Sequence, residues 1–216
     1  MCTDLNLKTI DAISGVFQKI YVPTYELQLF DEYAEPKILV DLRDAFLFCQ
    51  NAHGNQVRLG PLNRPYTDHP LMVWYLSYIL GGNKTQQLAA LLHDVVEDCQ
   101  SNLNLKTEDI FVLLKGRFTL DISNLVCELS IFTDDDTEEL EIISNFSAVA
   151  KLDKAADNFA NLWDLIYDGP IGYSKEKHAY IIEFREEVHS LCQPLPCWFN
   201  EAFHQLALRA KRLLLT

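Results

Sequence analysis

A short polar segment follows an apolar run in the middle of the chain. Residues 88–92 are all Leu or Ala, and His93, Asp94, Glu97 and Asp98 come directly after them. On a helix, His93 and Glu97 share one face and Asp94 and Asp98 share another. Because burying unpaired carboxylates is costly, a partner must neutralise them. His93 and Asp94 could both ligate a metal ion at the edge of a cleft; the alternative is a helix end that enters solvent.

Two residues elsewhere complete a possible metal-binding set. His69 precedes a proline, where alone it would predict only a turn residue. Asp157 lies in a mainly apolar stretch, where a carboxylate also needs a partner. The two imidazoles of His69 and His93 and the two carboxylates of Asp94 and Asp157 form a mixed nitrogen and oxygen set. Such a set suits Mn²⁺, Fe²⁺ or Zn²⁺, with open positions for water and substrate.

These residues must be positioned by helices, because apolar residues recur with helical spacing over almost the whole chain. We predict helices at 5–20, from Pro36 to Cys49, at 71–80, from an N-cap at Thr85 onward, over a long continuous stretch at 138–167, at 174–192 and near the C-terminus. Glycines and prolines predict a loop at 54–70. No segment alternates long enough to predict a strand. We therefore predict an all-α protein with one domain over 1–216.

Composition excludes several classes of protein. The chain has 216 residues, of which 49% are hydrophobic and 23% charged, as in ordinary globular proteins. Its 18 basic and 31 acidic residues give a net charge of −13, so bulk nucleic acid and anionic membranes are poor partners. No apolar run approaches the roughly 18 residues that span a bilayer. With no signal segment and no CxxC pair, we predict a cytoplasmic protein. Nothing in the sequence indicates its oligomeric state.

Four segments resemble one enzyme family. They are AHGNQVR at 52–58, PYTDHP at 65–70, AALLHDVVED at 89–98 and KAADNFANLWDL at 154–165. A His, then a His-Asp pair, then a distant Asp is the pattern of the HD metallophosphohydrolases. More narrowly, the segments are similar to the hydrolase domain of the RelA/SpoT homologues and to the small alarmone hydrolases. The resemblance covers about 45–168 and implies an HD-domain/phosphodiesterase-like helical fold with helical extensions at 1–35 and 175–216.

The resemblance implies a function for individual residues. The family removes the 3′-pyrophosphate from guanosine tetra- or pentaphosphate, an alarmone of the stringent response, with Mn²⁺; another divalent transition metal is possible. By position, the metal ligands would be His69, His93, Asp94 and Asp157, the catalytic acidic pair Glu97 and Asp98, and the substrate-binding residues Arg58, Tyr66 and Asn161. The metal would activate water and neutralise phosphoryl charge, while the acidic pair orients the water and moves protons.

The sequence also departs from the family pattern. Leu59 follows the substrate-binding Arg where Lys is usual, and Trp163 stands where Arg is common. Arg64 could supply a displaced positive charge, and Trp163 could stack on a base if it faces the pocket. Lys151 and Lys154 are candidate counter-charges for the substrate, although a surface position is the commoner one for each.

These departures leave other functions open. The same kind of scaffold removes the 2′-phosphate of NADPH, so an NADPH 2′-phosphatase or another HD nucleotidase is an alternative. In each case the expected partner is a phosphorylated purine nucleotide. A catalytically silent nucleotide-binding or interaction module is a further alternative. Loss of a metal ligand, of Glu97 or of Asp98 would favour that module, and all six residues are present.

Overall fold

The computed structural model describes residues 9–21 and 25–216, and these ranges contain thirteen helices. In chain order they are α1 (Ile10–Ile20), α2 (Glu26–Tyr33), α3 (Leu39–His53), α4 (Asp68–Ile79), α5 (Lys84–Leu92), α6 (Val95–Asp98), α7 (Gln100–Leu103), α8 (Thr107–Arg117), α9 (Leu120–Leu129), α10 (Asp136–Ser144), α11 (Ala148–Tyr167), α12 (Lys175–Leu191) and α13 (Cys197–Leu214). The described ranges contain no strand, only one isolated antiparallel bridge between Val57 and Pro65. The predicted all-α class is confirmed. Residues 5–8 of the first predicted helix lie outside the described ranges.

The longest helix, α11, packs against α4, α5, α9, α12 and α13. It buries a row of small side chains, including Ala150, Ala155 and Ala156. Small side chains at a contact let helix axes approach closely. The same helix buries Asp153 and Asp157, so its packing places carboxylates inside the protein. These groups need partners from the surrounding helices.

Helix α4 supplies partners of this kind. Ten consecutive residues, from Asp68 to Ser77, are buried. A helix buried on every side belongs to the core. The helix begins at Asp68, three residues before the predicted start, so His69 and Pro70 lie in its first turn. Proline is tolerated there because the first-turn amides have no partner within the helix.

Several other predicted boundaries were wrong. Asn83, not Thr85, caps α5: its side chain accepts a hydrogen bond from the Gln86 amide, and the Gln86 side chain accepts one from the Asn83 amide. The long helix predicted over 138–167 is two helices, α10 and α11, because Ser147 caps a new helix by accepting a hydrogen bond from the amide of Ala150. Helix α2 was not predicted.

The buried apolar side chains of the described residues form one cluster. Helices α12 and α13 pack directly on α11, so this C-terminal region adds to the same core. The division into a motif-bearing region of about 45–168 and two extensions stays a prediction. Across the described ranges, no helix combines the length and the apolar character needed to cross a bilayer.

Candidate metal centre

Four polar side chains meet in one buried cluster. His69 comes from the first turn of α4, His93 and Asp94 follow α5, and Asp157 lies in α11. His69 Nε2 is 3.1 Å from Asp157 Oδ1 and 3.8 Å from Asp94 Oδ2. His93 Nε2 is 3.0 Å from Asp94 Oδ1 and 3.9 Å from Asp157 Oδ1. The ligand atoms of His69, His93 and Asp94 all lie within 4.8 Å of one another, which makes these three residues a candidate metal site.

The ring of His93 is oriented as in a metal ligand. Its Nδ1 is 2.9 Å from the carbonyl oxygen of Ala90, which can only accept, so Nδ1 carries the proton. The other ring nitrogen, Nε2, is buried and lies 3.0 Å from Asp94 Oδ1. A ring nitrogen and a carboxylate oxygen at this distance need a cation between them, which is a proton when no metal ion is bound. The donor set fits a metal ion that would replace this proton.

The charges of the cluster also favour a cation. Burial opposes protonation of His93, but Asp94 and Asp157 raise its pKa to about 9. Burial alone would raise the pKa of Asp94, yet His93 and His69 hold it below its usual value. The pKa of Asp157 is likewise lowered despite burial, chiefly by Lys154, whose Nζ is 3.1 Å away. Both carboxylates are therefore ionised at neutral pH, as metal ligands must be.

The acidic pair lies on the short helix α6, after an interruption. The helix predicted as continuous over 93–98 is broken, because α5 ends before His93 and α6 begins after Asp94. Glu97 faces the cluster and accepts a hydrogen bond of 2.6 Å from the amide of Ile131. Burial, reinforced by Asp94, raises the pKa of Glu97 to about 7. A carboxyl group that titrates near neutral pH can both take up and release a proton.

Asp98 and Tyr66 lie on the open side of the cluster. Asp98 is exposed and accepts a hydrogen bond from the Tyr66 hydroxyl, which also lies 3.0 Å from Asp94 Oδ2. Burial and the two carboxylates raise the pKa of Tyr66, so it stays a neutral donor. The buried ring of His53 stacks on Tyr66 with centroids 4.4 Å apart and holds its orientation. His53 and Tyr66 belong to motifs that the sequence already singled out.

Asn161 and Arg58 form a chain of contacts from the metal cluster to Asp164. Asn161 Nδ2 donates to Asp157 Oδ1 at 2.5 Å, and Arg58 Nη2 donates to Asn161 Oδ1 at 3.1 Å. The Arg58 guanidinium also pairs with Asp164 at 2.9 Å. The three residues predicted to bind substrate, Arg58, Tyr66 and Asn161, thus lie together beside the four predicted metal ligands.

Two adjoining clefts open at this position. The first, of about 150 Å³, contains the metal cluster and Glu97; the second, of about 400 Å³, contains Asp98. The volume of the second falls within the range of small-molecule sites, roughly 300–1,000 Å³, and the first is smaller. The clefts share four residues, which are Arg58, Tyr66, Asn161 and Arg185. The second cleft has apolar walls, formed by Val57, Leu59, Leu165, Pro170, Tyr173 and Ile181.

Three expectations about charge and stacking were wrong. Trp163 is fully buried, donates to Ser14 Oγ and packs against Phe17, so it cannot stack on a base. Arg64 is buried and ion-paired with three carboxylates, those of Asp68, Asp164 and Asp168, so its charge is already neutralised. Lys154 is largely buried in the first cleft, where a surface position was expected. Sequence reasoning also missed Arg185, because it lies beyond the motif-bearing segments.

Comparison with known proteins identifies relatives of this chain. No family model matches. MESH1 of Xenopus tropicalis, a guanosine-3′,5′-bis(diphosphate) 3′-pyrophosphohydrolase, is 35% identical over 155 residues, covering 67% of this chain and 80% of that protein. MESH1 of Homo sapiens is 32% identical over 157 residues, covering 68% and 82%. A probable guanosine-3′,5′-bis(diphosphate) 3′-pyrophosphohydrolase of Synechocystis is 27% identical over 161 residues, covering 74% of this chain and 17% of that protein.

The fold has a counterpart among solved structures. A metazoan ortholog of SpoT superimposes with a TM-score of 0.67 and 24% sequence identity, covering 80% of this chain and 96% of that one. This likeness supports the HD-type helical fold, while the identity to the MESH1 proteins supports common descent. The chain therefore belongs to the family of MESH1 and the SpoT-like 3′-pyrophosphohydrolases.

Proposed function

We propose that this protein is a Mn²⁺-dependent hydrolase that removes the 3′-pyrophosphate from guanosine tetra- or pentaphosphate. The observation that supports this most is the convergence of His69, His93, Asp94 and Asp157 in a cleft that also contains Glu97. The family relationship supplies the expected substrate, because MESH1 proteins are named for this reaction.

His69, His93, Asp94 and Asp157 would hold the ion. The donor set fits, since Nε2 of His93 points toward two ionised carboxylates and a metal ion would replace its proton. Nitrogen and oxygen donors suit Mn²⁺, although Fe²⁺ and Zn²⁺ accept the same ligands. When bound, such an ion lowers the pKa of water and neutralises charge on phosphoryl oxygens.

The protein's own groups would handle protons. Glu97 lies in the same cleft as the metal cluster, and its pKa of about 7 allows it to accept a proton from the attacking water and to release it later. The hydrogen bond from the Ile131 amide fixes the Glu97 carboxylate in place. Asp98 would act on the open side of the cleft, with its carboxylate oriented by the Tyr66 hydroxyl.

Substrate binding would use both clefts. Arg58 and Asn161 line both, so a nucleotide could place its ribose phosphates near the metal cluster and its base in the second cleft. The apolar walls of that cleft suit a flat purine base. Arg58 would offer its guanidinium to phosphate while Asp164 keeps it oriented.

A related phosphatase activity is the second candidate, and one observation favours it. Leu59, which stands where the family usually has Lys, is 82% exposed beside the second cleft, and Trp163 is in the core. Neither can form an ion pair with a phosphate, so the phosphate pattern of the substrate could differ from that of guanosine tetraphosphate. An NADPH 2′-phosphatase or an HD nucleotidase would use the same metal cluster.

A substrate panel tests the proposal. Purified protein with Mn²⁺ is incubated with guanosine tetraphosphate, adenosine tetraphosphate of the same pattern, NADPH and guanosine 5′-monophosphate, and products are resolved by chromatography. We expect the highest kcat/KM for guanosine tetraphosphate. Preference for NADPH or for the monophosphate would support the second candidate. Binding of nucleotide without turnover of any of the four would favour the silent module.

A further inference from the structure

Four cationic side chains line the two clefts within the described part of the chain, and three of them are already ion-paired. Arg58 pairs with Asp164 at 2.9 Å, Lys154 pairs with Asp157 at 3.1 Å, and Arg64 pairs with three carboxylates at 2.7–3.3 Å. The fourth cation is Arg185 of α12, which lines both clefts. Its guanidinium makes no ion pair and no hydrogen bond with any described residue.

The backbone of Arg185 is fixed close to the metal cluster. The fully buried Asn158, next to Asp157 in α11, donates from its side-chain Nδ2 to the carbonyl oxygen of Arg185 at 2.8 Å. Arg185 and Lys154 both line the first cleft. The Arg185 side chain is partly buried, with its guanidinium 5.6 Å from the centre of the Phe184 ring.

An unpaired guanidinium in such a position suits an anionic ligand. Arg presents several N–H groups in a planar arrangement that matches phosphate oxygens. The first cleft also contains the carboxylates of Glu97 and Glu139 as well as the ligand carboxylates, so an unscreened polyanion would be repelled. The unpaired guanidinium of Arg185 lies where the two clefts meet. Its positive charge would offset this repulsion for a nucleotide that occupies both clefts.

We propose that Arg185 binds a phosphate group of the substrate where the two clefts join, and so supplies positive charge that Leu59 and Trp163 do not provide. The inference rests on the proposed function only in taking the substrate to be a nucleotide phosphorylated on its ribose. Arg185 would act as a binding residue and would take no part in proton transfer.

Two measurements test this on the Mn²⁺-loaded protein. Calorimetric titration with inorganic pyrophosphate reports anion binding without turnover, and steady-state kinetics on guanosine tetraphosphate separates KM from kcat. The variants are Arg185→Ala, Arg185→Lys and, as a control for net charge, Arg212→Ala, since Arg212 is an exposed residue of α13. Thermal unfolding of each variant checks that the fold is intact; the hydrogen bond between Asn158 and residue 185 involves only the backbone of the latter and survives substitution.

We expect Arg185→Ala to weaken pyrophosphate binding and raise KM, each by roughly tenfold or more, as for loss of a charged hydrogen bond. Arg185→Lys should recover part of this loss, and Arg212→Ala should match the wild type. Unchanged pyrophosphate affinity and KM in a folded Arg185→Ala variant would overturn the inference. If the wild type binds pyrophosphate through Arg185 but hydrolyses no guanosine tetraphosphate, the inference stands and the proposed substrate is wrong.

Discussion

His69 Nε2 lies 3.1 Å from Asp157 Oδ1, although 88 residues separate them in the chain. A second buried contact joins the same two helices, since Ser77 Oγ donates to Asp153 Oδ1 at 2.7 Å. Ser77 follows His69 in α4, whereas its partner Asp153 precedes Asp157 in α11, so the two helices run in opposite directions. Together the two contacts fix the position of α4 relative to α11 along the helix axes. The candidate metal centre is therefore part of the packing between α4 and α11.

The first prediction concerns metal binding. Wild-type protein purified without chelator should contain about one transition-metal ion per chain. His93→Ala should lower metal affinity by at least 100-fold, because changes in residues that merely support a ligand cost about 10–100-fold. Elemental analysis of purified protein measures this, and Glu108→Gln, at an exposed site in α8, is the control. Full metal content in His93→Ala would exclude His93 as a ligand.

The second prediction concerns the acidic pair. Glu97→Gln should lower kcat by about 10²–10⁴-fold, because it removes a group able to transfer a proton. Asp98→Asn should also lower kcat, and both variants should keep their metal. Single-turnover kinetics combined with elemental analysis separates loss of chemistry from loss of metal. Wild-type kcat in both variants would mean that the carboxylates are structural.

The sequence predicted which residues converge but not every connection between them. Helical periodicity is a local property, so α3, α12 and α13 could be predicted from apolar spacing and capping residues. The break after α5 could not, because the residues at 93–98 are compatible with a continuous helix. The break between α5 and α6 lies at His93 and Asp94, whose side chains contact residues of α4 and α11 that are distant in the sequence.

The positions of the charged residues depend on contacts even farther apart. Arg64 pairs with Asp164, 100 residues away, and no spacing in the sequence indicates that this pair forms. Trp163 stands where the family commonly has Arg, and the sequence allows its side chain to face either the cleft or the core. In the structure the side chain lies in the core, where it packs against Phe17 and Tyr21. Arg185 lies outside the recognised motifs, so only the packing of α12 on α11 shows its place in the clefts.

The third prediction concerns the stability contributed by Arg64. Arg64→Met should lower the free energy of unfolding by about 3–5 kcal/mol, because the change leaves buried carboxylates without a counter-charge. The exposed pair of Arg43 and Asp31, 2.6 Å apart, provides the control. Arg43→Met should cost at most about 1 kcal/mol. Urea denaturation measures both; equal effects of the two changes would show that burial of the Arg64 cluster does not matter.

The fourth prediction concerns pH. Burial raises the pKa of Asp153 to about 8, and its Oδ2 has no hydrogen-bond partner among the described residues. In the unfolded chain this carboxyl ionises at about pH 3.9. The folded state therefore binds one more proton between these values, and this contribution to stability is complete below about pH 4 and lost as pH rises to about 8.

Asp153→Asn tests this relation. The variant cannot ionise, so its free energy of unfolding should fall less than that of the wild type between pH 5 and pH 8. Urea denaturation of both proteins at the two pH values measures the difference. Groups that do not interact with Asp153 titrate equally in the two proteins and cancel in the comparison. Parallel pH dependence in wild type and variant would show that Asp153 is ionised in the folded protein.

The most direct test of the proposed function is ³¹P nuclear magnetic resonance of guanosine tetraphosphate after timed incubation with the Mn²⁺-loaded protein, with each sample stopped and freed of Mn²⁺ by a chelator before its spectrum is recorded. We predict that the signals of the 3′-diphosphate disappear, those of the 5′-diphosphate of GDP remain, and inorganic pyrophosphate accumulates in equal amount. Release of orthophosphate in place of pyrophosphate, or persistence of the 3′-diphosphate signals at enzyme concentrations that hydrolyse another nucleotide, would contradict the proposal.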